Sequence, residues 1–484
     1  MSSRHCEVTA QRPATRGALG ALMVLSMVAC AAHVREPAVQ VWVTTADRTR
    51  LLARDADLQF AAAAPLALNI DVDAHRRYQE FLGVGAAFTD ATALLFERRL
   101  EPPARAALLR ELFGPPPGIG LSLMRVPIGA SDFSAEHYSF DDLASGEADA
   151  ALAHFDLGAN GKRVLSLVRA AHEINPSMRL IGSTWSAPGW MKSSGSLVKG
   201  HLLPEHYDAF ADYLLRFADS YRQAGVPLYG LTAQNEPGFE PTDYPGMRFE
   251  PADRARFIAQ HLGPKLARHA GAPLFFEYDH NWDVSESPLQ VLDDPVAGRF
   301  VAGVAWHCYG GEIAAQSLVH NAHPGLSALM TECSGGEWEP SWAGGLRWFA
   351  GMLLIEGGRN WGSGTILWNL ALDERYGPHL GGCDDCRGVV TINSGTGAVT
   401  RNVEYYSLAH LGRFVRPGAR RIDSTSNLDG LRTVAFRNSD DGSLALLVYN
   451  GAAGARRFSV RVSRRTLAYD LPAGAVATFA WGAK

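Results

Sequence analysis

The stretch Leu231-Thr232-Ala233-Gln234-Asn235-Glu236-Pro237 decides the fold, because a short apolar run in it ends in a carboxylate. The stretch Leu329-Met330-Thr331-Glu332-Cys333-Ser334 repeats the arrangement further along the chain. Short, continuous apolar runs are typical of strands that are covered on both faces, as in a parallel sheet. A carboxylate at the carboxyl end of such a strand is poorly explained by packing. A pair of them indicates that one group acts as an acid or base and the other as a nucleophile on the same bond.

Six further apolar runs accompany these two, and helix-like segments alternate with them. The eight predicted strands are residues 81–88, 121–127, 180–185, 228–235, 274–279, 301–309, 328–332 and 365–369. Between the strands, apolar residues recur at helical spacing, as in the series Phe210, Tyr213, Leu214 and Phe217. Eight strand–helix units predict an α/β fold of the (β/α)8 TIM-barrel type at residues 76–414.

Both ends of the chain have a different pattern. Residues 39–75 and 415–484 contain short alternating runs punctuated by Gly, Asn and Asp, which is typical of a β-sandwich. A sandwich of about 70 residues is thin on its own, since sandwich domains commonly need about 100. We therefore expect the N-terminal strands to join the C-terminal ones in a single β-sandwich side domain.

The amino-acid composition argues against some classes of function. The chain has 484 residues, of which 47% are hydrophobic and 20% charged, as expected for a soluble globular protein with one large and one smaller domain. A formal net charge of −5 without a dominant basic block argues against a nucleic-acid partner. Eleven Trp and 14 Tyr supply flat faces that suit sugars.

The N-terminal segment is predicted to be an export signal rather than part of the fold. Arg4, Arg12 and Arg16 precede an apolar run at 18–29 and a small-residue cleavage zone, so residues 1–32 have the three regions of a signal peptide. Met-Val-Ala-Cys at 27–30 resembles a bacterial lipobox, in which Cys30 would become the lipidated first residue. We expect export from a bacterial cell. The periplasm, the outer membrane (as an anchored lipoprotein) and secretion remain open as destinations.

Four cysteines follow this segment. Cys383 and Cys386 lie in a Gly-rich loop, where a local disulfide is favoured over free thiols in an exported protein. A metal site is disfavoured because no second ligand pair follows at suitable spacing. Cys308 and Cys333 directly follow two site candidates on neighbouring strands, and two buried thiols are favoured there over a bond.

Polar and aromatic side chains occur at the predicted strand ends, where barrel enzymes place their reacting groups. In addition to the two glutamates, the candidates are Asp90, Arg125, Trp185, Asn235, His307, Tyr309, Trp368 and Asn369. Each has a structural alternative. Asp90 could cap a helix, the tryptophans could be core, His307 could be a buried structural histidine, and Arg125 could support an ion pair. Glu277 and Asp279 are expected to be supporting or rim residues.

Two carboxyl groups in opposite protonation states are what glycosidic cleavage requires. One donates a proton to the leaving oxygen, and the other attacks the anomeric carbon as an anion. When the groups lie about 5–5.5 Å apart, no water fits between them and the anomeric configuration is retained.

The motifs around both glutamates resemble those of glycoside hydrolase family 30, and most closely its glucosylceramidase (acid β-glucosidase) branch. Residues 232–237 resemble the acid/base motif and residues 331–334 the nucleophile motif. Residues 83–90, 125–127, 183–188, 305–309, 368–372 and 405–412 resemble further family motifs and occur in the family's order. The resemblance implies a (β/α)8 barrel with a β-sandwich side domain.

The resemblance also implies roles for the candidates. Glu236 would be the acid/base, Glu332 the nucleophile, and Asn235 a hydrogen-bond partner of the sugar 2-hydroxyl. Asp90, Trp185 and Trp368 would hold the non-reducing sugar. The residues Arg125, His307, Tyr309 and Asn369 would line the site, with Tyr309 donating to Glu332. No metal or organic cofactor is required, because two carboxylates suffice.

We therefore expect a retaining, glucosylceramidase-like hydrolase of β-glucosidic bonds that acts on a β-glucoside, glycolipid or glycan. The loop at 377–388 departs from animal glucosylceramidases and is similar to bacterial relatives and the β-1,6-glucanase branch. An endo-β-1,6-glucanase is therefore the main alternative, followed by another β-glycanase or a β-xylosidase of the family. A non-catalytic carbohydrate-binding protein would need a damaged carboxylate pair. The sequence carries no indication of the oligomeric state.

Overall fold

The computed structural model describes residues 38–482 of the chain. The predicted signal at 1–32, including Cys30, lies outside the described residues. In the described part, no helix combines the length and apolarity needed to cross a membrane.

Eight parallel strands form the barrel sheet. In chain order they are β1 (Gly83–Ala86), β2 (Leu123–Ile128), β3 (Arg179–Thr184), β4 (Gly230–Thr232), β5 (Leu274–Asn281), β6 (Val301–His307), β7 (Ser327–Glu332) and β8 (Gly362–Leu367). β8 pairs with β1, and a parallel bridge between Ala87 and Arg125 joins the β1 and β2 sides. The TIM-barrel prediction is confirmed.

Helices surround the barrel sheet and bury their apolar faces against it. The series Phe210, Tyr213, Leu214 and Phe217 is fully buried, as its spacing predicts. The α-helices are Asp90–Arg98, Pro102–Phe113, Gly158–Ile174, Tyr207–Gln223, Pro251–Phe257, Gly263–Arg268, Glu286–Leu292, Ala314–Ala322, Trp342–Leu346, Gly357–Arg359 and Val403–Gly412. Ile258–Leu262 and Arg347–Glu356 are π-helical, and the short 3-10 turns are Gly189–Met191, Pro204–His206, Trp282–Val284 and Ala297–Phe300.

A nine-stranded sheet built from both chain ends forms the side domain. Its N-terminal strands are Gln40–Thr44, Ala53–Arg54 and Asn69–Glu80. Its C-terminal strands are Arg420–Ser424, Leu431–Arg437, Leu444–Asn450, Arg456–Val462, Arg465–Leu471 and Val476–Trp481. Gln40–Thr44 pairs with Val476–Trp481, and Asn69–Glu80 lies between Arg420–Ser424 and Arg456–Val462. The prediction of a side domain made from both ends is therefore confirmed.

Short strands order the loops at the carboxyl ends of the barrel strands. Gly335–Gly336 pairs with Cys386–Arg387, so the loop after β7 is fixed to the loop after β8. Ala371–Leu372, Val390–Ile392 and Val399–Arg401 form a separate three-stranded sheet.

His410 connects the barrel to the side domain. Its Nδ1 lies 2.9 Å from the Thr478 hydroxyl and its Nε2 lies 2.9 Å from the Thr44 hydroxyl. Burial lowers the pKa of this imidazole to about 3, so the ring is neutral at physiological pH. One neutral side chain thus ties helix Val403–Gly412 to strands from both chain ends.

Two disulfides lie in the loops at this end of the barrel. Cys383 is bonded to Cys386, and Cys308 is bonded to Cys333 with a Cα–Cα distance of 5.3 Å. The prediction of two buried thiols at Cys308 and Cys333 was therefore wrong. β6 and β7 pair side by side up to His307 and Glu332, so the next residue of each strand comes within bonding distance of the other.

Candidate active site

Glu236 and Glu332 face the same side chain, His307. The Nδ1 atom of His307 lies 3.0 Å from Oε1 of Glu236 and 3.9 Å from Oε1 of Glu332. Glu332 is the last residue of β7, and Glu236 follows β4 by four residues. The fold therefore brings the two sequence-predicted carboxylates to one imidazole.

The backbone at Glu236 is held in an unfavourable conformation. Its φ is 49°, in the left-handed region that residues with a side chain rarely occupy. The Glu236 N–H donates to the carbonyl of Asp279 at 2.9 Å, which fixes this turn to the end of β5. Strain of this kind persists where the surroundings impose it, and it is concentrated at functional sites.

Both oxygens of Glu332 accept hydrogen bonds. Arg125 donates to Oε2 at 2.5 Å, and the Tyr309 hydroxyl donates to Oε1 at 2.9 Å. Burial raises the pKa of Glu332, and the charge of Glu236 raises it further, whereas His307 and Arg125 oppose the rise. The two donors favour the ionised form, which nucleophilic attack requires, and so act against this rise.

His307 carries a proton at neutral pH. It is completely buried, and burial alone would lower its pKa. The charge of Glu332 and the hydrogen bonds to Asp279 and Glu236 prevail and raise the pKa to about 9. In turn, the hydrogen bond from His307 lowers the pKa of Glu236 against the effect of burial. The ligand-free site therefore holds an imidazolium beside an ionised Glu236.

Asp279 is the centre of the supporting network. Its Oδ2 accepts hydrogen bonds from Arg125 at 2.7 Å, from Ser183 at 2.6 Å and from Thr232 at 2.7 Å. Its Oδ1 accepts from Thr331 at 2.6 Å and lies 3.1 Å from His307 Nε2. Burial would raise the pKa of Asp279, but Arg125 and His307 hold it far below its ordinary value. This permanent anion fixes the positions of both cations.

Arg125 lies on a floor of two tryptophans. The Trp185 and Trp368 rings stack with centroids 5.0 Å apart, and the guanidinium carbon of Arg125 is 4.7 Å from the Trp185 centroid. Arg125 also donates to the side-chain oxygen of Asn235 at 2.7 Å. These four sequence-predicted residues, Arg125, Trp185, Asn235 and Trp368, thus form one connected group beside Glu332.

Asp132 lies close to the carboxylate pair, and sequence reasoning missed it. It is in the loop after β2 and only 7% exposed. Burial raises its pKa well above the ordinary value, with further increases from the charges of Glu332 and Glu236, while a hydrogen bond with Trp368 opposes them. The sequence signal that could have identified Asp132 is an acidic residue four positions after the end of a barrel strand.

The hydrogen bonds of Asp90 and Asn369 connect them to neighbouring loops and not to the two glutamates. Asp90 accepts from Ser134 at 2.5 Å and from Tyr138 at 2.9 Å. The helix cap there is Thr89, whose hydroxyl also donates to Asn369 at 2.7 Å. Asp90 therefore stabilises the loop after β2, and Asn369 links the loop after β8 to the loop after β1.

Two groups of side chains have a spacing that suits a metal ion. Glu236, His280 and His307 offer ligand atoms within 4.8 Å of one another, and so do Asp141, Asp149 and His154. In the first group, His307 is protonated and both of its ring nitrogens already face carboxylates. Because a metal binds the deprotonated imidazole, this arrangement opposes a metal there.

Known proteins resemble the chain over nearly all of its described length. The model of the glycosyl hydrolase family 30 TIM-barrel domain matches residues 81–415, and that of the family's beta sandwich domain matches residues 418–479. An endo-1,6-beta-D-glucanase of Neurospora crassa is 35% identical over 400 residues, covering 79% of this chain and 81% of that protein. The lysosomal acid glucosylceramidase of Mus musculus is 29% identical over 409 residues, covering 79% of this chain and 77% of that protein. A solved endo-beta1,6-glucanase superposes with a TM-score of 0.86 at 30% identity, covering 92% of this chain and all of that one.

Proposed function

This chain belongs to glycosyl hydrolase family 30, and from that premise we propose that it cleaves β-1,6-linked glucans internally, with retention of configuration. The similar endo-1,6-beta-D-glucanases support this substrate better than the glucosylceramidases do, because they share more identical residues with the chain. The loop at 377–388 supports it as well. The glucosylceramidase-like expectation is accordingly replaced by its stated alternative.

One observation carries the proposed chemistry: a single imidazole nitrogen lies within 4 Å of both glutamates. Carboxyl groups this close favour the short separation of retaining enzymes over the wider arrangement that admits a water molecule. In the first step, Glu332 attacks the anomeric carbon and forms a glycosyl ester while the leaving oxygen takes a proton. In the second step, water hydrolyses that ester.

Glu236 is the proposed proton donor, and His307 supplies the proton. His307 holds a proton on Nδ1, 3.0 Å from Glu236 Oε1. Transfer along this hydrogen bond gives a neutral carboxyl group at Glu236. It also leaves a neutral imidazole that can still donate from Nε2 to Asp279. Once Glu332 is esterified, its charge no longer acts on the site, and Glu236 can accept a proton from the attacking water.

Polar and aromatic groups around the pair would hold the sugar. The Asn235 oxygen accepts from Arg125, so the amide nitrogen is turned toward the remaining partner, for which we propose the sugar 2-hydroxyl. Trp185 stacks on Trp368, and Asp132 hydrogen-bonds with Trp368 and is influenced by the charges of both glutamates, so a carboxyl group and aromatic surface adjoin the pair. Such a combination suits a glucosyl ring with apolar faces and polar edges.

A substrate panel tests the proposal. The purified enzyme would be given linear β-1,6-glucan, glucosylceramide, aryl β-glucosides and aryl β-xylosides, with products followed by chromatography and NMR. We expect β-1,6-linked oligosaccharides of several lengths, with the β anomer formed first. Release of glucose alone, preference for glucosylceramide, or an initial α anomer would each reject a part of the proposal.

We also propose that the chain is exported and that Cys30 anchors it. Two disulfides among the described residues support an oxidising compartment. Replacing Cys30 by Ala should move the protein from the membrane fraction to the soluble fraction of a producing cell. An unchanged distribution would contradict the anchor.

A further inference from the structure

An exposed tryptophan lies in the loop that follows Glu332. Trp338 is 55% exposed, more than any other tryptophan among residues 38–482. Exposing so large an apolar ring to water is unfavourable, and the nearby Trp342 and Trp348 are partly buried while Phe349 is buried. The position, six residues beyond the proposed nucleophile, suggests that a ligand covers the ring.

The backbone around Trp338 holds the indole in place. A Cβ atom added at Gly336 would lie 2.0 Å from an indole carbon, so the ring packs directly against the Gly336 backbone. The Glu339 N–H donates to the Gly336 carbonyl at 3.2 Å and closes the turn. The Glu337 N–H donates to the Asp385 carbonyl at 3.1 Å and fixes the turn to the disulfide loop. A ring that is already ordered loses little entropy when it binds a ligand.

A cavity of about 320 Å³ lies beside this ring. Its lining includes Ser334, Gly335, Trp338, Trp348 and Arg387, and we call it the Trp338 pocket. The lining begins with Ser334, two residues after Glu332, so the chain keeps this edge of the pocket within about 7 Å of the Cα atom of the proposed nucleophile. Its volume falls in the range of small-molecule sites, and aromatic surface with a few fixed polar groups is typical of them.

The charges of the Trp338 pocket are neutralised within the protein. Arg387 donates to the buried Glu404 at 3.0 Å, and Glu339 accepts from Ser341 and lies 3.6 Å from Arg347. Neither sign of charge is left in excess, which favours a neutral ligand with hydroxyl groups over an anion or a cation.

We propose that the Trp338 pocket is a second sugar subsite, which holds a glucosyl unit adjoining the one that is cleaved. This inference rests on the proposed function and adds a residue that determines the preference for a chain over a simple glucoside. The Trp338 ring supplies the stacking surface, and Arg387 with Glu339 supplies hydrogen bonds to the hydroxyl groups.

The test compares substrates of different length. For each enzyme, kcat/KM is measured on an aryl β-glucoside, which engages the carboxylate site, and on a β-1,6-linked glucotetraose. In Trp338→Ala the ratio of tetraose to aryl glucoside should fall about tenfold, the size of one aromatic contact. Trp338→Phe should recover most of the ratio. Leu318→Ala, at a residue of similar exposure (52%) on helix Ala314–Ala322, is the control and should leave the ratio unchanged.

Failure of this inference is distinguishable from failure of the proposed function. If the wild-type enzyme does not cleave the tetraose, the β-1,6-glucanase proposal is rejected. If the wild type cleaves it and Trp338→Ala keeps the wild-type ratio, the subsite is rejected. Calorimetric titration of tetraose into Glu332→Gln, with and without Trp338→Ala, gives a second readout, and equal affinities would reject the subsite too.

Discussion

A single side chain, His307, determines the protonation of the site, because it touches both proposed reacting groups and the permanent anion Asp279. Its neighbours in space come from β4, β5 and β7, so no local motif could have indicated this arrangement. The sequence placed His307 among the site candidates, but the proton it holds follows from charges that only the folded chain brings together.

Removing the proposed nucleophile should stop turnover without preventing binding. In Glu332→Gln the amide oxygen still accepts from Arg125 or Tyr309, but no anion is left to attack the anomeric carbon. We expect kcat to fall roughly 10⁴-fold or more, with affinity for a β-1,6-oligosaccharide retained in calorimetry. The exposed Glu312 carries the matched control, Glu312→Gln, which should behave as wild type. Substantial turnover in Glu332→Gln would contradict the assignment.

Removing the proposed acid/base should produce a defect that azide repairs. Glu236→Ala opens space beside His307 and leaves the glycosyl ester without a base for its hydrolysis. On an aryl glucoside with a good leaving group, added azide should restore turnover at least tenfold and yield the β-glucosyl azide. Glu240→Ala, four residues on at an exposed position, should not respond to azide. Absence of rescue in Glu236→Ala would count against its role.

At the scale of strands and loops, prediction succeeded where the pattern is continuous and failed where the backbone is irregular. The eight strands follow from apolar runs, because both faces of a parallel sheet are buried. Tyr278 and Asp279 at the end of β5 have positive φ, and the register with β6 shifts there. That irregularity places Asp279 at the centre of the network. An apolar run carries no sign of it, so the sequence could assign Asp279 only to the support or the rim.

The two cysteine pairs show the same limit. Cys383 and Cys386 are close in the chain, and their bond is a local property. Cys308 and Cys333 meet only because β6 and β7 end in register, and register cannot be read from either strand alone.

The Cys383–Cys386 loop should matter more for substrate affinity than for stability. It pairs with Gly335–Gly336 next to the Trp338 pocket, and its Gly382 packs against Asp132. Closing so small a ring stabilises by about 2 kcal/mol at most on chain-entropy grounds. Changing both cysteines to Ser should therefore lower Tm by only a few degrees while raising KM for β-1,6-glucan severalfold. A large Tm loss with unchanged KM would reverse this interpretation.

At the scale of the whole molecule, two buried histidines make opposite contributions to the dependence of stability on pH. The pKa of His307 is about 9 in the folded protein, so its stabilising effect is present below the unfolded value of 6.5 and is lost as pH rises toward 9. The pKa of His410 is about 3. The unfolded chain therefore takes up a proton below pH 6.5 that the folded chain excludes, and stability falls as pH decreases.

The junction at His410 should thus make the enzyme sensitive to acid. Between pH 6.5 and pH 4.5 the excluded proton reduces the free energy of unfolding by up to about 1.4 kcal/mol per pH unit, or about 2 kcal/mol in total, because the unfolded histidine is only half protonated at pH 6.5. In His410→Gln the side chain can still hydrogen-bond to Thr44 or Thr478 but does not titrate. Urea unfolding over this pH range should show a shallower decline for His410→Gln than for the wild type, although the variant is less stable at pH 7.5. His307 and every other histidine are common to both proteins, so the difference in slope belongs to His410. Parallel declines would show that the junction is not the source of acid sensitivity.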